Sequence, residues 1–148
     1  MQAIGKDVRE FLALLAKHDV QHMVVGGFAV AAHGFPRYTK DLDIWLACSP
    51  PNAMHVIAAL AEFGFGSLGL TTQDFETPDL VIQLGYEPNQ IDLLTGLTGV
   101  RFDDAYPRRL EVDIEGVRVP IIDRHSLAVN KRAFGRPQDL ADAEALER

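Results

Sequence analysis

The chain has 148 residues, 47% of them hydrophobic and 24% charged, with a formal net charge of −7. That length suits one domain of ~100–150 residues with a real hydrophobic core, and the acidic balance argues against a broad nucleic-acid-binding surface, because such surfaces are basic overall. No run approaches the ~20 apolar residues of a membrane helix. The opening Met1-Gln2-Ala3-Ile4-Gly5-Lys6-Asp7 lacks the cationic leader and apolar core of a signal peptide. Cys48 is the only cysteine, which leaves no internal disulfide and no multi-cysteine zinc site. A cytoplasmic location is expected.

In chain order, Val8, Phe11, Leu12 and Leu15 recur at helical spacing and predict an amphipathic helix. Met23-Val24-Val25 is short and apolar, as a buried strand is, and it stops at Gly26-Gly27. Residues 28–33 read as a short helix ended by Gly34 and Pro36. Residues 42–46 predict a second strand, with Trp45 assigned to the core on the side opposite Asp43. Ser49-Pro50-Pro51-Asn52 opens a helix running to about residue 63. Residues 79–84 and 90–94 predict strands joined by a turn over 85–89. Residues 111–114 and 117–121 flank Glu115-Gly116 as a hairpin. Helical patterns close the chain over 126–134 and from 137 onward, broken at Gly135-Arg136-Pro137. With no internal repeat or long linker, residues 1–148 read as a single domain of α/β or α+β class, a mixed sheet flanked by helices. No motif is assigned over residues 50–77.

The informative stretch joins Val24-Val25-Gly26-Gly27-Phe28 to Arg37-Tyr38-Thr39-Lys40-Asp41-Leu42-Asp43-Ile44. On a strand, Asp41 and Asp43 project to the same side. Two adjacent carboxylates repel unless a proton or cation relieves them, and hard divalent ions favour carboxylate oxygens together with substrate phosphates. Gly26 and Gly27 stand between a strand and a helix N-terminus, where the backbone approaches a ligand closely and the free N–H groups suit phosphate. Either feature alone reads as structure: a solvated strand-end pair, a tight turn.

Together they resemble the nucleotidyltransferase superfamily of polymerase-β-like enzymes, whose hallmark is a strand ending in Gly-Gly or Gly-Ser, a short helix, then an apolar-flanked Asp-x-Asp. A third carboxylate follows on a later strand. Gly26, Gly27, Asp41 and Asp43 match the first parts, and Asp92 within Gln90-Ile91-Asp92-Leu93-Leu94 matches the last. The tail, with Ile121-Ile122-Asp123, Leu127, Lys131, Arg136, Asp139 and Asp142, is similar to small prokaryotic members, some of toxin–antitoxin or abortive-infection systems. The resemblance implies a metal site of Asp41, Asp43 and Asp92 holding Mg²⁺ or Mn²⁺, and phosphate contacts from Gly26, Gly27, Lys131 and Arg136. Asp139 and Asp142 either organise those bases or form solvated pairs. Many active members place Ser directly after the glycine pair, where this chain has Phe28; Thr39 or Arg37 would then supply the replacement contact, and Tyr38 either packs or stacks on a base.

The reaction so implied moves a nucleoside monophosphate from a nucleoside triphosphate to an acceptor hydroxyl on RNA, protein or a small molecule. The other expected role is a non-catalytic, antitoxin-like binding subunit of the same fold with a protein partner, favoured by Phe28. A structural domain with a chance Asp-x-Asp is the third. His18, His22, His55 and His125 lack metal-ligand spacing, and His33 reads as a helix-end residue with a backbone partner.

Overall fold

The computed structural model describes residues 4–148; residues 1–3, the start of the segment read above against a signal peptide, lie outside the described residues. The elements in order are α1 (Lys6–Lys17), β1 (His22–Val25), α2 (Gly26–Ala32), β2 (Asp41–Leu46), α3 (Pro50–Phe63), α4 (Thr72–Glu76), β3 (Val81–Leu84), β4 (Gln90–Leu94), α5 (Phe102–Ala105), β5 (Leu110–Ile114), β6 (Val117–Ile121), α6 (Arg124–Phe134) and α7 (Pro137–Glu147). The strands form one six-stranded mixed sheet in the order β3-β4-β2-β1-β6-β5. β2 runs antiparallel to β1 and parallel to β4, while β6 runs parallel to β1. No helix among the described residues is long and apolar enough to cross a membrane.

Register assigns the faces. Val24 pairs with Ile44, and Ile44 with Leu93. These residues, with Leu42, Leu46 and Ile91, make a face that is almost wholly buried. Each such side chain contributes roughly 1.5–3 kcal/mol by burial. A slip of β2 by one residue would exchange this apolar set for Asp41 and Asp43. Core burial therefore locks both carboxylates onto the other face. α1 brings Phe11, Leu12 and Leu15 to the same core, and Phe11 meets Phe63 of α3 edge-on at 5.2 Å.

Trp45 is buried as expected, but its side needs correcting. It lies two residues beyond Asp43, so the period of two puts both on one face, and Trp45 pairs with Leu94 as Asp43 pairs with Asp92. That face changes character along β2. At the Trp45 end α5 covers it, with Phe102 packed edge-on at 5.1 Å. At the Asp41 end it is open.

Most element ends have local causes. Ser49 caps α3 by accepting from the Asn52 backbone. The buried Asn52 side chain satisfies the Gln21 N–H and the Gln21 and Ala47 carbonyls. Asp123 caps α6 by accepting from the Ser126 N–H at 3.2 Å. Gly135, at φ +77°, ends α6 and lets α7 fold back beside it. Arg124 fastens that pair, donating to the Leu146 and Ala145 carbonyls. β3 begins at Val81 rather than 79, because Asp79 takes φ +59°, outside the strand region.

Candidate active site

Two adjacent strands deliver the three carboxylates. β2 carries Asp41 and Asp43 at its open end, and Asp92 of β4 is the in-register partner of Asp43. One carboxylate oxygen from each lies within 4.8 Å of the other two. Burial, then the charges of Asp41 and Asp92, push the Asp43 carboxyl up to about 7. Asp41 is raised as well, by burial and by its hydrogen bond and charge contact with Asp92. Gln90, two residues earlier on the same face, donates to Asp92 Oδ1 at 2.9 Å and fixes that side chain. The cluster thus holds more negative charge than its surroundings neutralise. Hard oxygen donors, convergence and residual charge all fit a divalent cation of the Mg²⁺ type.

The glycine turn seats against this cluster. Gly26 adopts φ +69° at the start of α2, and a Cβ there would fall 2.2 Å from Asp43 Oδ2. Only glycine fits both the backbone angle and the approach. A Cβ on Gly27 would fall 2.7 Å from Thr39 Cγ2 and 3.6 Å from Arg37 Cδ. Thr39 and Arg37 therefore lie over the turn, where the sequence reading wanted replacement contacts. Phe28 is buried in the core and lines a small pocket with Ile4, Val8, Leu42 and Asp41.

Two clefts flank Gly27 and Asp43. The first, of ≈ 360 Å³, opens toward α7 and is lined by Arg37, Tyr38, Thr39, Lys40, Lys131 and Arg136 among others. Tyr38 is 73% exposed, so packing is excluded as its role. The second, of ≈ 310 Å³, opens over β3 and β4, where Val81, Leu94, Leu97 and Phe134 join Asp92 and Lys131.

Behind the clefts runs a chain of alternating charges. Arg37 donates both terminal nitrogens to Asp142, at 2.6 and 3.1 Å. Lys131 lies 3.3 Å from Asp142 and 3.5 Å from Asp139, and Arg136 donates to Asp139 at 2.5 and 3.2 Å. Asp139 and Asp142 are almost fully buried, which decides between the two readings offered for them: they hold the bases and are not solvated pairs. The hydrogen bond from Arg136, reinforced by Lys131, keeps Asp139 below the usual carboxylate range. Burial alone would raise Asp142, but Arg37 and Lys131 outweigh it and the net shift is downward.

Not every basic residue joins the clefts. Arg124 and Arg132 bind the α7 end, Arg132 through an ion pair with Glu147. His33 Nε2 donates to the Ile122 carbonyl, 2.8 Å away, as its helix-end position suggested. Gln90, Val81 and Phe134 were missed in the sequence. Gln90 had a signal, its i, i+2 spacing from Asp92; the two apolar residues had none.

The same fold occurs in solved structures. An antigenic nucleotidyltransferase-like protein from Paracoccidioides brasiliensis superposes with a TM-score of 0.54 at 13% identity, over 98% of this chain and 78% of that one. TM1012 from Thermotoga maritima, presumed to be a nucleotidyltransferase, gives 0.54 at 16% identity, over 95% and 88%. ANT(2")-Ia, solved in complex with adenylyl-2"-tobramycin, gives 0.53 at 13% identity, over 94% and 84%. No curated protein is similar enough in sequence to match. The sequence pattern of one family spans almost the whole chain, residues 5–148, and the protein belongs to that family, described as "Nucleotidyl transferase of unknown function (DUF2204)".

Proposed function

We propose that this nucleotidyltransferase-fold protein moves a nucleoside monophosphate from a nucleoside triphosphate to an acceptor hydroxyl, using Mg²⁺ or Mn²⁺ at Asp41, Asp43 and Asp92. The observation that carries the reading is the convergence of three carboxylates within 4.8 Å, against a glycine turn that admits no side chain. A bound divalent ion would neutralise phosphate charge and bring the reacting oxygens into line. The chain's own groups do the rest. Gly26 and Gly27 bring the backbone at the start of α2 up against Asp43 and Thr39, where its N–H groups would meet phosphate, and Lys131, Arg136 and Arg37 supply positive charge from fixed positions. Asp92 takes the proton of the acceptor hydroxyl. The acceptor oxygen would then bond to the α-phosphorus as the bond to the bridging oxygen breaks, and pyrophosphate leaves. Catalysis of this kind rests on positioning and charge stabilisation.

Prearranged charges strengthen the case. Asp139 and Asp142 hold the three cations before substrate arrives, so little reorganisation accompanies binding. Phe28 leaves the turn without a serine hydroxyl, and Thr39 and Arg37, whose side chains lie against Gly27, are the groups that would take over its contact. The test is to incubate the protein with each α-labelled triphosphate, Mg²⁺ and cell extract, and to follow the label. Covalent labelling of an acceptor, lost on replacing Asp41 and Asp43, is expected. No labelling with any triphosphate would sink the proposal and favour a binding role.

A further inference from the structure

In-line displacement puts the attacking and leaving oxygens on opposite sides of one phosphorus, so the two substrates approach Asp41, Asp43 and Asp92 from opposite directions. The two clefts meet this demand unequally. The cleft toward α7 has Arg37, Lys40, Lys131 and Arg136 on its walls and suits a triphosphate. The cleft over β3 and β4 contains Asp92, and Val81, Leu94, Leu97 and Phe134 are on its walls beside Lys131 and Arg136, which line both clefts. Val81 and Phe134 are 64% and 53% exposed. Val81 pairs with Leu94 across the strands, so both face the carboxylate side, and Phe134 stands at the end of α6 with Arg136 over its ring at 4.8 Å. Exposed apolar side chains grouped beside a polar centre mark a surface made to be covered.

Building on the transfer reading, we infer that the acceptor is a hydroxyl carried on a small, neutral, largely apolar body of aryl-alcohol type. The cleft's ≈ 310 Å³ sits at the small end of the ~300–1,000 Å³ typical of ligand sites. Its cations, Lys131 and Arg136, also line the cleft toward α7 and there serve the triphosphate, and besides Asp139 its carboxylates are Asp43 and Asp92 of the metal site. A polyammonium sugar would find no carboxylate of its own here and would leave the Val81–Phe134 wall uncovered. An apolar ring covers that wall while its hydroxyl points at Asp92.

The experiment uses tyrosol, glucose and tobramycin as acceptors. Calorimetric titration without metal should show tyrosol binding with a negative heat-capacity change, the mark of apolar burial. With Mg²⁺ and labelled triphosphate, tyrosol should be labelled in preference to the other two. Phe134→Ser and Val81→Ser, both at exposed positions, should fold normally by their melting curves. Each should raise the tyrosol KM about tenfold, and Val81→Ser, which touches no triphosphate residue, should change the triphosphate KM by less than about twofold. Preference for tobramycin or glucose, absence of tyrosol binding, or an unchanged tyrosol KM in both variants would overturn the inference. Those outcomes leave the transfer reading standing as long as Mg²⁺-dependent triphosphate binding persists. Loss of that binding is the separate failure that removes transfer itself.

Discussion

The molecule holds two groups of aspartates, with Asp43 and Asp139 lining the same clefts, and they behave in opposite ways. Asp41 and Asp43 sit beside Asp92 with little compensating positive charge, and their carboxyls are pushed up, Asp43 to about 7. Asp139 and Asp142 expose less surface to solvent, yet theirs are pushed down by Arg37, Lys131 and Arg136. Burial raises all four and is the main cause at Asp41 and Asp43; at Asp139 and Asp142 cationic partners reverse it. One group is built to receive positive charge from outside, the other to hold positive charge already present. Acidic residues in a cleft are thus informative only once their partners are counted.

The largest expected effect separates the groups by function. Asp41→Asn with Asp43→Asn should lower transfer by at least ~10²–10³-fold, the scale of losing a main source of transition-state charge stabilisation. The fold should survive, checked by circular dichroism, because removing two repelling charges costs the metal-free protein little. Asp142→Asn should do the reverse. It leaves Arg37 and Lys131 under-compensated and costs about 2 kcal/mol, below the ~3–5 kcal/mol of fully buried pairs because Arg37 is partly exposed. At this chain length that is about 4–8 °C in melting temperature.

A smaller effect concerns pH. Unfolded, Asp43 ionises near 3.8; folded, near 7. Between these values the native state binds more protons, so this group's contribution to stability falls as pH rises through the window and stays lost above it. His22 acts oppositely. Burial lowers its pKa from 6.5 to about 4, so the unfolded state binds more protons in that range and stability falls as pH falls. The two slopes oppose each other in metal-free protein. Asp43→Asn removes the first, so the variant's melting temperature should rise from pH 4 to 6.5 more steeply than the parent's. Equal slopes would show that Asp43 is not raised. Smallest of all is the exposed Arg132–Glu147 pair: Arg132→Ala should leave the melting temperature unchanged, since such pairs contribute little.

How much of this was legible follows from which residues obey short-range rules. β1, β2, β4 and the β5–β6 hairpin were readable because apolar alternation and turn residues are local. The Asp41–Asp43 pair was readable for the same reason, and the period-two rule also places Trp45, whose side was miscounted. That Asp92 neighbours Asp43 rests on β4 pairing in parallel with β2, which spacing alone does not dictate; the family pattern supplied it. α4 and α5, of five and four residues, are too short for a helical period, although Thr71 and Asp74 form a capping box that the sequence displays. Val81 and Phe134 were invisible because apolar type predicts core, and only the fold shows them standing at a cleft. The anchoring of Lys131 and Arg136 was half legible: their spacing to Asp139 and Asp142 was in view, their burial was not.

The central claim is that Asp41, Asp43 and Asp92 form a metal-dependent nucleotide site. It is tested most directly by melting the protein with a nucleoside triphosphate, with and without Mg²⁺, in the parent and in the Asp41→Asn, Asp43→Asn double variant. A ligand at 100 times its Kd stabilises by about 2.7 kcal/mol. The parent should therefore show a clear upward shift only when triphosphate and Mg²⁺ are both present, and the double variant should show none. Equal shifts with and without Mg²⁺, or an undiminished shift in the double variant, would mean that the basic residues bind phosphate by themselves and that the three carboxylates are not the site.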